Sequence, residues 1–429
     1  MKIAVIGAGS TYTPELIEGV INRAESFPVT KISLMDIDER KLSIVGALAK
    51  RMVGHAKMNC AVNLTMDYDE ALGGADFVFA QIRVGRLPAR VLDEKIPLKH
   101  FLIGQETTGV GGFFKALRTI PVLMDVAGRM ERLCPNAFMI NFSNPSGICA
   151  QALLNNTNIK MMGLCNAPIG MIKGFNDALG TRDADFDYVG LNHLSFITSV
   201  RQDGRDFVKE ALEGDEALMD KLEWQNGFGR QAIKLMESLP NGYVHYFHQP
   251  RKSVYGLLSK DSTRGEDCIE IEEELLSMFS DEKLCVKPDE LSKRGGAMYS
   301  EAAVSLAESI YLNDKKIHVV NTLNGGALSF LRDDDAVEIR ARVGKNGAET
   351  IPPDVTGNDY VKSLILSVKT YERYTAEAAL TGCRETALKA LISNPLINDA
   401  DAAEACFDEM LEAHKEYLPA FFKRGGCAR

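Results

Sequence analysis

Short apolar runs alternate with helical stretches through the first 165 residues, and this alternation constrains the fold more than any other feature. Buried parallel strands are continuous apolar runs, and the helices that join them show a 3.6-residue periodicity. The apolar runs lie at residues 2–6, 31–35, 76–80, 137–142 and 159–164, and helical periodicity at 14–24, 114–133 and 148–154. The pattern predicts parallel βαβ units in a doubly wound, Rossmann-like sheet.

The second half of the chain differs, with paired strands and longer helical stretches. Strands are predicted at 187–191, 195–200, 316–321 and 336–343, and helices at 209–239, 269–279, 297–311 and 360–423. A chain of 429 residues is too long for one simple core. We therefore predict an α/β protein with two domains. Residues 1–165 form the N-terminal Rossmann-like domain, and residues 166–429 form an α+β domain that is mostly helical at its C-terminus.

Composition narrows the classes of partner. The net charge is -10 without a long basic run, so we expect no nucleic-acid partner. No apolar run is long enough to span a bilayer, and the N-terminus lacks the apolar core of a signal peptide. The nine cysteines have no CxxC pairs or regular spacing, which favours reduced thiols over a disulfide framework. We expect a cytoplasmic protein without a membrane partner.

The first apolar run ends in a glycine turn of the kind that binds dinucleotides. Gly7 and Gly9, followed by Ser10 and Thr11, would let the backbone approach a pyrophosphate at the N-terminus of the next helix. Asp36 ends the second run, where a carboxylate can bind ribose hydroxyls. The third glycine of the full fingerprint is replaced by tyrosine. The alternative is a strand-to-helix turn with no ligand and a capping aspartate.

Three groups rich in Gly and Asn follow apolar runs of strand length. They are Asn141 to Gly147, Gly163 to Pro168 and Gly190 to Leu194. The second contains Cys165 and the third His193, and both residue types are metal ligands. With a domain change expected between residues 165 and 195, this pair would lie where the domains meet. The alternative is a small buried hydrophobe and a satisfied core histidine.

A basic segment follows the run at residues 76–80. It contains Arg83, Arg86 and Arg90. Guanidinium groups bind phosphate in a bidentate manner, although a solvated loop that pairs with Asp93 and Glu94 is the alternative. Residues 104–112 contain too many glycines for a helix interior, so we expect a tight loop beside a ligand or a flexible turn.

Taken in order, these segments resemble glycoside hydrolase family 4, the NAD-dependent and metal-requiring glycosidases. The resemblance covers most of the chain, through GAGS, IRVG, LDE, GQETTGVGG, NFSNPSG, GLCN, GLNH, KRGGAMYSEAA and VVNTLNGGALSFL. It implies that Cys165 and His193 hold a divalent metal, usually manganese. It also implies that Arg90 binds the sugar phosphate and that Asn144 binds the sugar. A homodimer or homotetramer is expected from the same resemblance.

The resemblance assigns two further roles. Tyr243 matches the family's catalytic tyrosine, with Tyr246 in reserve because this chain has fewer tyrosines in that segment. Asn166 lies where the 6-phospho-α-glucosidases have aspartate as the proposed general acid. An amide cannot protonate a leaving group, so the Cys-Asn-x-Pro form is similar to that of the 6-phospho-β-glucosidases. Arg264 either approaches the site or simply begins a surface helix.

The implied chemistry explains the need for both cofactors. Oxidation at C3 of the sugar by bound NAD acidifies the C2 proton, and the metal stabilises the resulting charge. A tyrosinate removes that proton, the aglycone is eliminated, water adds, and the sugar is reduced again. The expected substrate is a 6-phospho-β-glucoside. The alternatives are a 6-phospho-α-glucosidase, a lactate/malate-type dehydrogenase of 2-hydroxyacids that needs no metal, and an NAD-binding sensor without turnover.

Overall fold

The computed structural model describes residues 1–294, 299–355, 357–397 and 399–423. Residues 297–298 of the predicted helix 297–311, and residues 295–298 of the KRGGAMYSEAA motif, lie outside these ranges. The strands are β1 Lys2–Ile6, β2 Lys31–Met35, β3 Ala61–Thr65, β4 Phe77–Ala80, β5 Phe138–Asn141, β6 Lys160–Gly163, β7 Asp185–Leu191, β8 Leu194–Gln202, β9 Arg205–Asp206, β10 Leu239–Pro240, β11 Ile317–Leu323, β12 Ala336–Gly344 and β13 Gly347–Thr350.

Helices lie between and after these strands, mostly where the periodicity predicts them. They are α1 Thr13–Ile21, α2 Glu39–His55, α3 Tyr68–Leu72, α4 Arg86–Lys99, α5 Gly109–Leu133, α6 Ser146–Asn156, α7 Ala167–Leu179, α8 Phe207–Leu212, α9 Glu216–Asn226, α10 Arg230–Met236, α11 His245–His248, α12 Pro250–Leu258, α13 Arg264–Phe279, α14 Tyr299–Leu312, α15 Asp359–Thr381, α16 Arg384–Ser393 and α17 Ala400–Ala413. Short 3₁₀ turns occur at Gly242–Val244, Asp289–Arg294, Lys415–Tyr417 and Pro419–Phe422.

The larger sheet has nine strands in the order β13-β12-β11-β6-β5-β4-β1-β2-β3. The six strands from β3 to β6 are parallel, and their order 3-2-1-4-5-6 is that of the Rossmann fold. The predicted Rossmann-like α/β fold class is confirmed. Strand order reverses between β1 and β4, and ligands bind at such a switch point, outside the carboxyl ends of the strands.

Three strands from the second half of the chain complete this sheet. β11 pairs antiparallel with β6, and β12 and β13 follow. A smaller sheet contains β7, β8, β9 and β10, and its central hairpin lies against β12. The predicted division into residues 1–165 and 166–429 stays a prediction, because one continuous sheet includes strands from both parts.

Five of the six parallel strands are largely apolar because both faces of the sheet are covered. Ala4 and Ile6 of β1 pack into one core cluster, whereas Ile3 and Val5 pack into the other. Successive side chains of a strand point to opposite faces, so β1 contributes to both clusters. Within the described ranges, no helix is long and apolar enough to cross a bilayer.

Candidate active site

A cavity of about 1040 Å³ lies at the carboxyl edge of the parallel strands. Nine of the predicted site residues line it: Gly7, Gly9, Ser10, Asp36, Arg90, Asn144, Asn166, His193 and Tyr243. Thr11 and Cys165 lie behind this lining and are only 1% and 3% exposed. Thr11 Oγ1 is buried without a hydrogen-bond partner among the described residues. The cavity thus brings together residues from segments more than 200 positions apart.

The glycine turn after β1 has the geometry of a dinucleotide cradle. Gly7 has a φ of +87°, and a Cβ built there would lie 2.8 Å from the carbonyl oxygen of Gln81. The amide of Gly9 donates to Asp36 Oδ2 at 2.7 Å, and the amide of Asp38 donates to Asp36 Oδ1 at 2.9 Å. Burial raises the pKa of Asp36, although these two amides oppose the shift. The backbone therefore stays open to a pyrophosphate while Asp36 holds the turn.

Tyr12 occupies the position of the missing third glycine without closing the cavity. Its hydroxyl donates to the carbonyl oxygen of Arg294 at 3.2 Å, and the Arg294 guanidinium lies 5.5 Å from the ring centroid. Both side chains line the cavity wall. Tyrosine in place of the third glycine therefore adds a side chain to the cavity wall, but the backbone of the turn at Gly7 and Gly9 is unchanged.

We expect Gly7→Ala to weaken NAD⁺ binding and to lower the free energy of unfolding by about 1–3 kcal/mol, because the added Cβ meets a positive φ and a backbone oxygen. Gly74→Ala is the matched control. Gly74 also has a positive φ, +68°, but a Cβ there has nothing within 4 Å. Titration of NAD⁺ and urea unfolding would check both. Equal NAD⁺ affinity in the two variants would contradict the assignment of the turn.

Cys165 and His193 meet at the floor of the cavity. Cys165 follows β6, and His193 completes the two-residue turn between β7 and β8 with a left-handed φ of +65°. Their Sγ and Nε2 atoms are 3.5 Å apart. Burial raises the pKa of the Cys165 thiol to about 12 and, with help from Lys115, lowers the pKa of His193 to about 4. The imidazole is therefore neutral, as a metal ligand must be.

The donor set suits a metal that shares its coordination with a bound ligand. Cys165 and His193 offer one sulfur and one nitrogen, and the described part of the chain contains no group of three or more His, Cys, Asp or Glu that could hold a metal ion. His193 Nδ1 is buried without a described hydrogen-bond partner. Catalytic metal sites keep open positions for substrate oxygens, and two protein donors leave several. The residues present fit a divalent cation.

Tyr243 lies directly against this pair. Its ring stacks on His193 with centroids 4.2 Å apart and an interplanar angle of 28°. Its backbone amide donates to Asn241 Oδ1 at 3.0 Å, which fixes the 3₁₀ turn that presents the ring. Burial raises the pKa of Tyr243, and a thiolate at Cys165 would raise it further. The ring of Tyr246 is 6.3 Å from that of Tyr243 and also lines the cavity.

Two asparagines line the cavity close to this centre. Asn144 lies between β5 and α6, and its Oδ1 is buried without a hydrogen-bond partner among the residues described. Asn166 is the N-cap residue of α7 but makes no side-chain cap, and its Oδ1 lies 4.0 Å from Cys165 Sγ. Asn144 Oδ1 is therefore available to a sugar hydroxyl, whereas Asn166 Oδ1 accepts from the Cys165 thiol.

A buried cluster of five charged side chains forms another wall, and two of them, Glu106 and Lys115, were not predicted from the sequence. Glu106 pairs with Arg83, with Arg90 at 3.0 Å and with Lys115 at 2.9 Å, and Arg90 also pairs with Glu94 at 2.7 Å. Burial opposes ionisation of Glu106, but the three cations hold its pKa well below the usual range. Burial, then Arg83, lowers the pKa of Lys115 to about 8.

The structure corrects two expectations about this region. The alternative of a solvated loop that pairs with Asp93 and Glu94 holds only in part. Arg90 does pair with Glu94, but Arg86 and Arg90 lie in α4, and Asp93 pairs with Arg118 at 2.7 Å. The glycines at 109–112 form the first turn of α5, not a loop. A Cβ on Gly111 would lie 2.4 Å from the carbonyl oxygen of Gln105, so close packing demands glycine there.

The burial of Glu106 and Lys115 could not be predicted from the local sequence. Glu106 lies in a glycine-rich segment and Lys115 within a helix, and neither pattern shows whether a charged side chain faces the interior. Arg264 was expected either to approach the site or to begin a surface helix, and it does both. It begins α13, lines the cavity and donates to the carbonyl oxygen of Lys293 at 2.9 Å.

Comparison with known proteins identifies the family. The model described as Family 4 glycosyl hydrolase matches residues 2–181, and that of the Family 4 glycosyl hydrolase C-terminal domain matches residues 188–397. A protein of Bacillus subtilis (strain 168) named "Probable 6-phospho-beta-glucosidase" is 44% identical over 446 residues, 99% of this chain and 98% of its own length. A Thermotoga maritima 6-phospho-beta glucosidase, solved with manganese, NAD+ and glucose-6-phosphate, superposes with a TM-score of 0.88 at 36% identity, covering 97% of this chain and 99% of that one.

More distant proteins share the family or only the fold with this chain. A phospho-alpha-glucosidase of Clostridium acetobutylicum is 31% identical over 441 residues, 97% of this chain and 98% of its own length. A Plasmodium falciparum malate dehydrogenase covers 89% of this chain and 99% of its own with a TM-score of 0.57, but at 14% identity it shares the fold alone. Both family models together match most of the chain. The chain therefore belongs to glycosyl hydrolase family 4.

Proposed function

We propose that this chain hydrolyses 6-phospho-β-glucosides with the help of bound NAD and a divalent cation, Mn²⁺ by preference. One observation carries the proposal. A dinucleotide-type glycine turn, a Cys165–His193 pair 3.5 Å apart and a tyrosine stacked on that histidine line or adjoin a single cavity. The relatives named for 6-phospho-β-glucosides support the choice of substrate.

The predicted site residues then have defined tasks. When bound, NAD⁺ supplies a reversible hydride acceptor and the cation supplies a Lewis acid next to the sugar oxygens. Cys165 and His193 would hold the cation, and the glycine turn with Asp36 would hold the nucleotide. Tyr243 would accept the C2 proton. Among the tyrosines that line the described cavity, it is the one whose ring stacks on His193, which places its hydroxyl beside the candidate metal site. Asn144 would bind the sugar.

The charge cluster provides the phosphate subsite. Arg83, Arg90 and Lys115 carry three positive charges against the two negative charges of Glu94 and Glu106. A surplus of positive charge in a water-poor wall attracts a dianionic phosphate. We assign Arg90 as its principal ligand, and its existing ion pairs hold the guanidinium in place before substrate arrives.

Asn166 supports the β-linkage over the α-linkage. Its amide lines the cavity 4.0 Å from Cys165 Sγ, and an amide cannot act as a general acid. An α-specific enzyme of this family is expected to have aspartate there. The manganese preference, the domain roles, the cytoplasmic location and a homodimer or homotetramer are proposals that rest on the family resemblance.

The test is release of nitrophenol from nitrophenyl β-glucoside 6-phosphate, its α-anomer and the unphosphorylated β-glucoside. The protein is kept reduced and assayed with and without Mn²⁺ and NAD⁺ after chelation and gel filtration. We expect turnover of the β-phosphosugar alone, lost when either cofactor is removed. Turnover of the α-anomer would overturn the substrate assignment and leave the mechanism, whereas turnover indifferent to metal would overturn the mechanism.

A further inference from the structure

Glu338 is a carboxylate buried beneath the candidate metal site, and the proposed chemistry does not use it. It lies on β12 and is 1% exposed. Its Oε1 is 2.8 Å from the Tyr188 hydroxyl, and its Oε2 accepts from the side-chain amides of Asn192 at 3.1 Å and Asn321 at 3.2 Å. Burial raises the pKa of Glu338 to about 7. Keeping such a group out of water is costly unless its partners compensate.

Asn192 connects this carboxylate to the site. It immediately precedes His193 in the β7–β8 turn, and its side chain lies close enough to Cys165 to oppose the rise that burial causes in the pKa of the thiol. Its Oδ1 accepts the backbone amide of Ser146 at 3.0 Å, at the start of α6 and two residues after Asn144. The Asn192 side chain therefore lies between the segments that carry Asn144, Cys165 and His193.

Asn321 provides a second connection on the other side. It lies opposite Glu338 in the β11–β12 register and opposite Gly163 in the β6–β11 pairing. Gly163 is two residues before Cys165. Glu338 thus accepts from two asparagines, one beside His193 and one beside the strand that leads into Cys165.

We propose that Glu338 is a positioning residue for metal binding, because it orients Asn192 and Asn321 and through them sets the spacing of Cys165 and His193. The inference rests on the proposed function for the identity of the ligand, a divalent cation. Side chains that orient metal ligands from behind affect affinity without touching the metal. Asn192 and Asn321 both donate to Glu338 Oε2, and these two hydrogen bonds fix the orientation of each side-chain amide.

Substitutions of Glu338 should differ in effect according to the acceptors that they leave for the two asparagines. Glu338→Gln can keep its oxygen toward the two asparagine amides and turn its own amide toward the Tyr188 oxygen, which still has Ser195 Oγ at 2.5 Å. Glu338→Leu fills a similar volume but removes every acceptor. Tyr188→Phe removes a buried hydroxyl from the same network and leaves both asparagine contacts in place, so it is the matched control for a general loss of stability.

The experiment is calorimetric titration of Mn²⁺ into the full chain with NAD⁺ present and sugar absent, together with the melting temperature of each variant. We expect Glu338→Leu to raise the Kd for Mn²⁺ by about 10- to 100-fold. Glu338→Gln and Tyr188→Phe should stay within about threefold of the unsubstituted chain. A Kd for Glu338→Leu within that same range would overturn the inference.

A second outcome would also overturn it: a loss of affinity in Tyr188→Phe as large as that in Glu338→Leu, which would trace the effect to stability. The readout contains no sugar, so the nitrophenol assay tests the proposed function separately. Failure of the unsubstituted chain to cleave any phosphosugar would overturn that function while the Mn²⁺ titrations still decide the role of Glu338.

Discussion

Tyr243→Phe is expected to lower kcat on nitrophenyl β-glucoside 6-phosphate by about 10²- to 10⁴-fold, the contribution of a positioned general base. The substitution removes one hydroxyl. The ring can keep its stacking on His193 at 4.2 Å, and the backbone amide keeps its bond to Asn241. Binding of Mn²⁺ and NAD⁺ should therefore be unchanged. Steady-state assays at saturating cofactors, with direct titration of each cofactor, would measure both effects.

Tyr246→Phe is the control for this prediction. Tyr246 also lines the cavity, but its ring packs against the apolar cluster of Leu98, Ile103 and Val254. Loss of its hydroxyl should leave kcat within about threefold, since it serves no proton transfer. A collapse of kcat in Tyr246→Phe with Tyr243→Phe active would reverse the assignment of the base between the two tyrosines.

Cys165→Ser is expected to weaken Mn²⁺ binding by about 100-fold or more and to abolish turnover at low metal concentration. In the proposed site the thiol is one of two protein donors, and losing a ligand should exceed the 10- to 100-fold typical of supporting residues. Excess Mn²⁺ should restore part of the rate, because the sugar oxygens and His193 still offer coordination. Metal titration and activity as a function of Mn²⁺ concentration would check this.

Cys134→Ser is the matched control, with the same exchange of sulfur for oxygen in a thiol of similar burial. Cys134 is 5% exposed and Cys165 is 3% exposed. Cys134 is the C-cap residue of α5 and precedes the amino end of β5, whereas the cavity lies at the carboxyl ends of the strands. Its substitution should lower stability without changing Mn²⁺ affinity. Equal Mn²⁺ affinity in Cys165→Ser and the unsubstituted chain would remove Cys165 from the metal site.

Local pattern is enough to predict the parallel core of the fold. Five of its six strands are continuous apolar runs, because the sheet is covered on both faces. The sixth, β3, escaped prediction because it is an edge strand with a half-exposed, alternating pattern that includes Asn63. The strands at residues 317–323 and 336–344 were predicted, but not their place in the larger sheet, because a pairing partner far along the chain leaves no trace in local periodicity.

Part of the candidate site could be predicted from the sequence, where a residue type implies its chemistry. Cys165 and His193 were singled out as ligands at the ends of strands, and the fold brings their side chains together. Burial of charge is different, since Glu106, Lys115 and Glu338 are ordinary residues until tertiary packing encloses them. No spacing rule distinguishes a buried glutamate on a strand from an exposed one, so these three could be found only in the folded molecule.

The completion of the larger sheet by β11–β13 has a consequence for synthesis on the ribosome. β6 ends at Gly163, but β11, the strand that pairs with its outer edge, ends only at Leu323. At about 5–20 residues per second, the intervening chain takes on the order of 10–30 seconds to emerge. During that interval the nascent chain presents an unpaired strand edge, which is a template for association with other chains. Slow translation through this stretch should therefore reduce the yield of native protein, and chaperones that bind exposed strands should raise it.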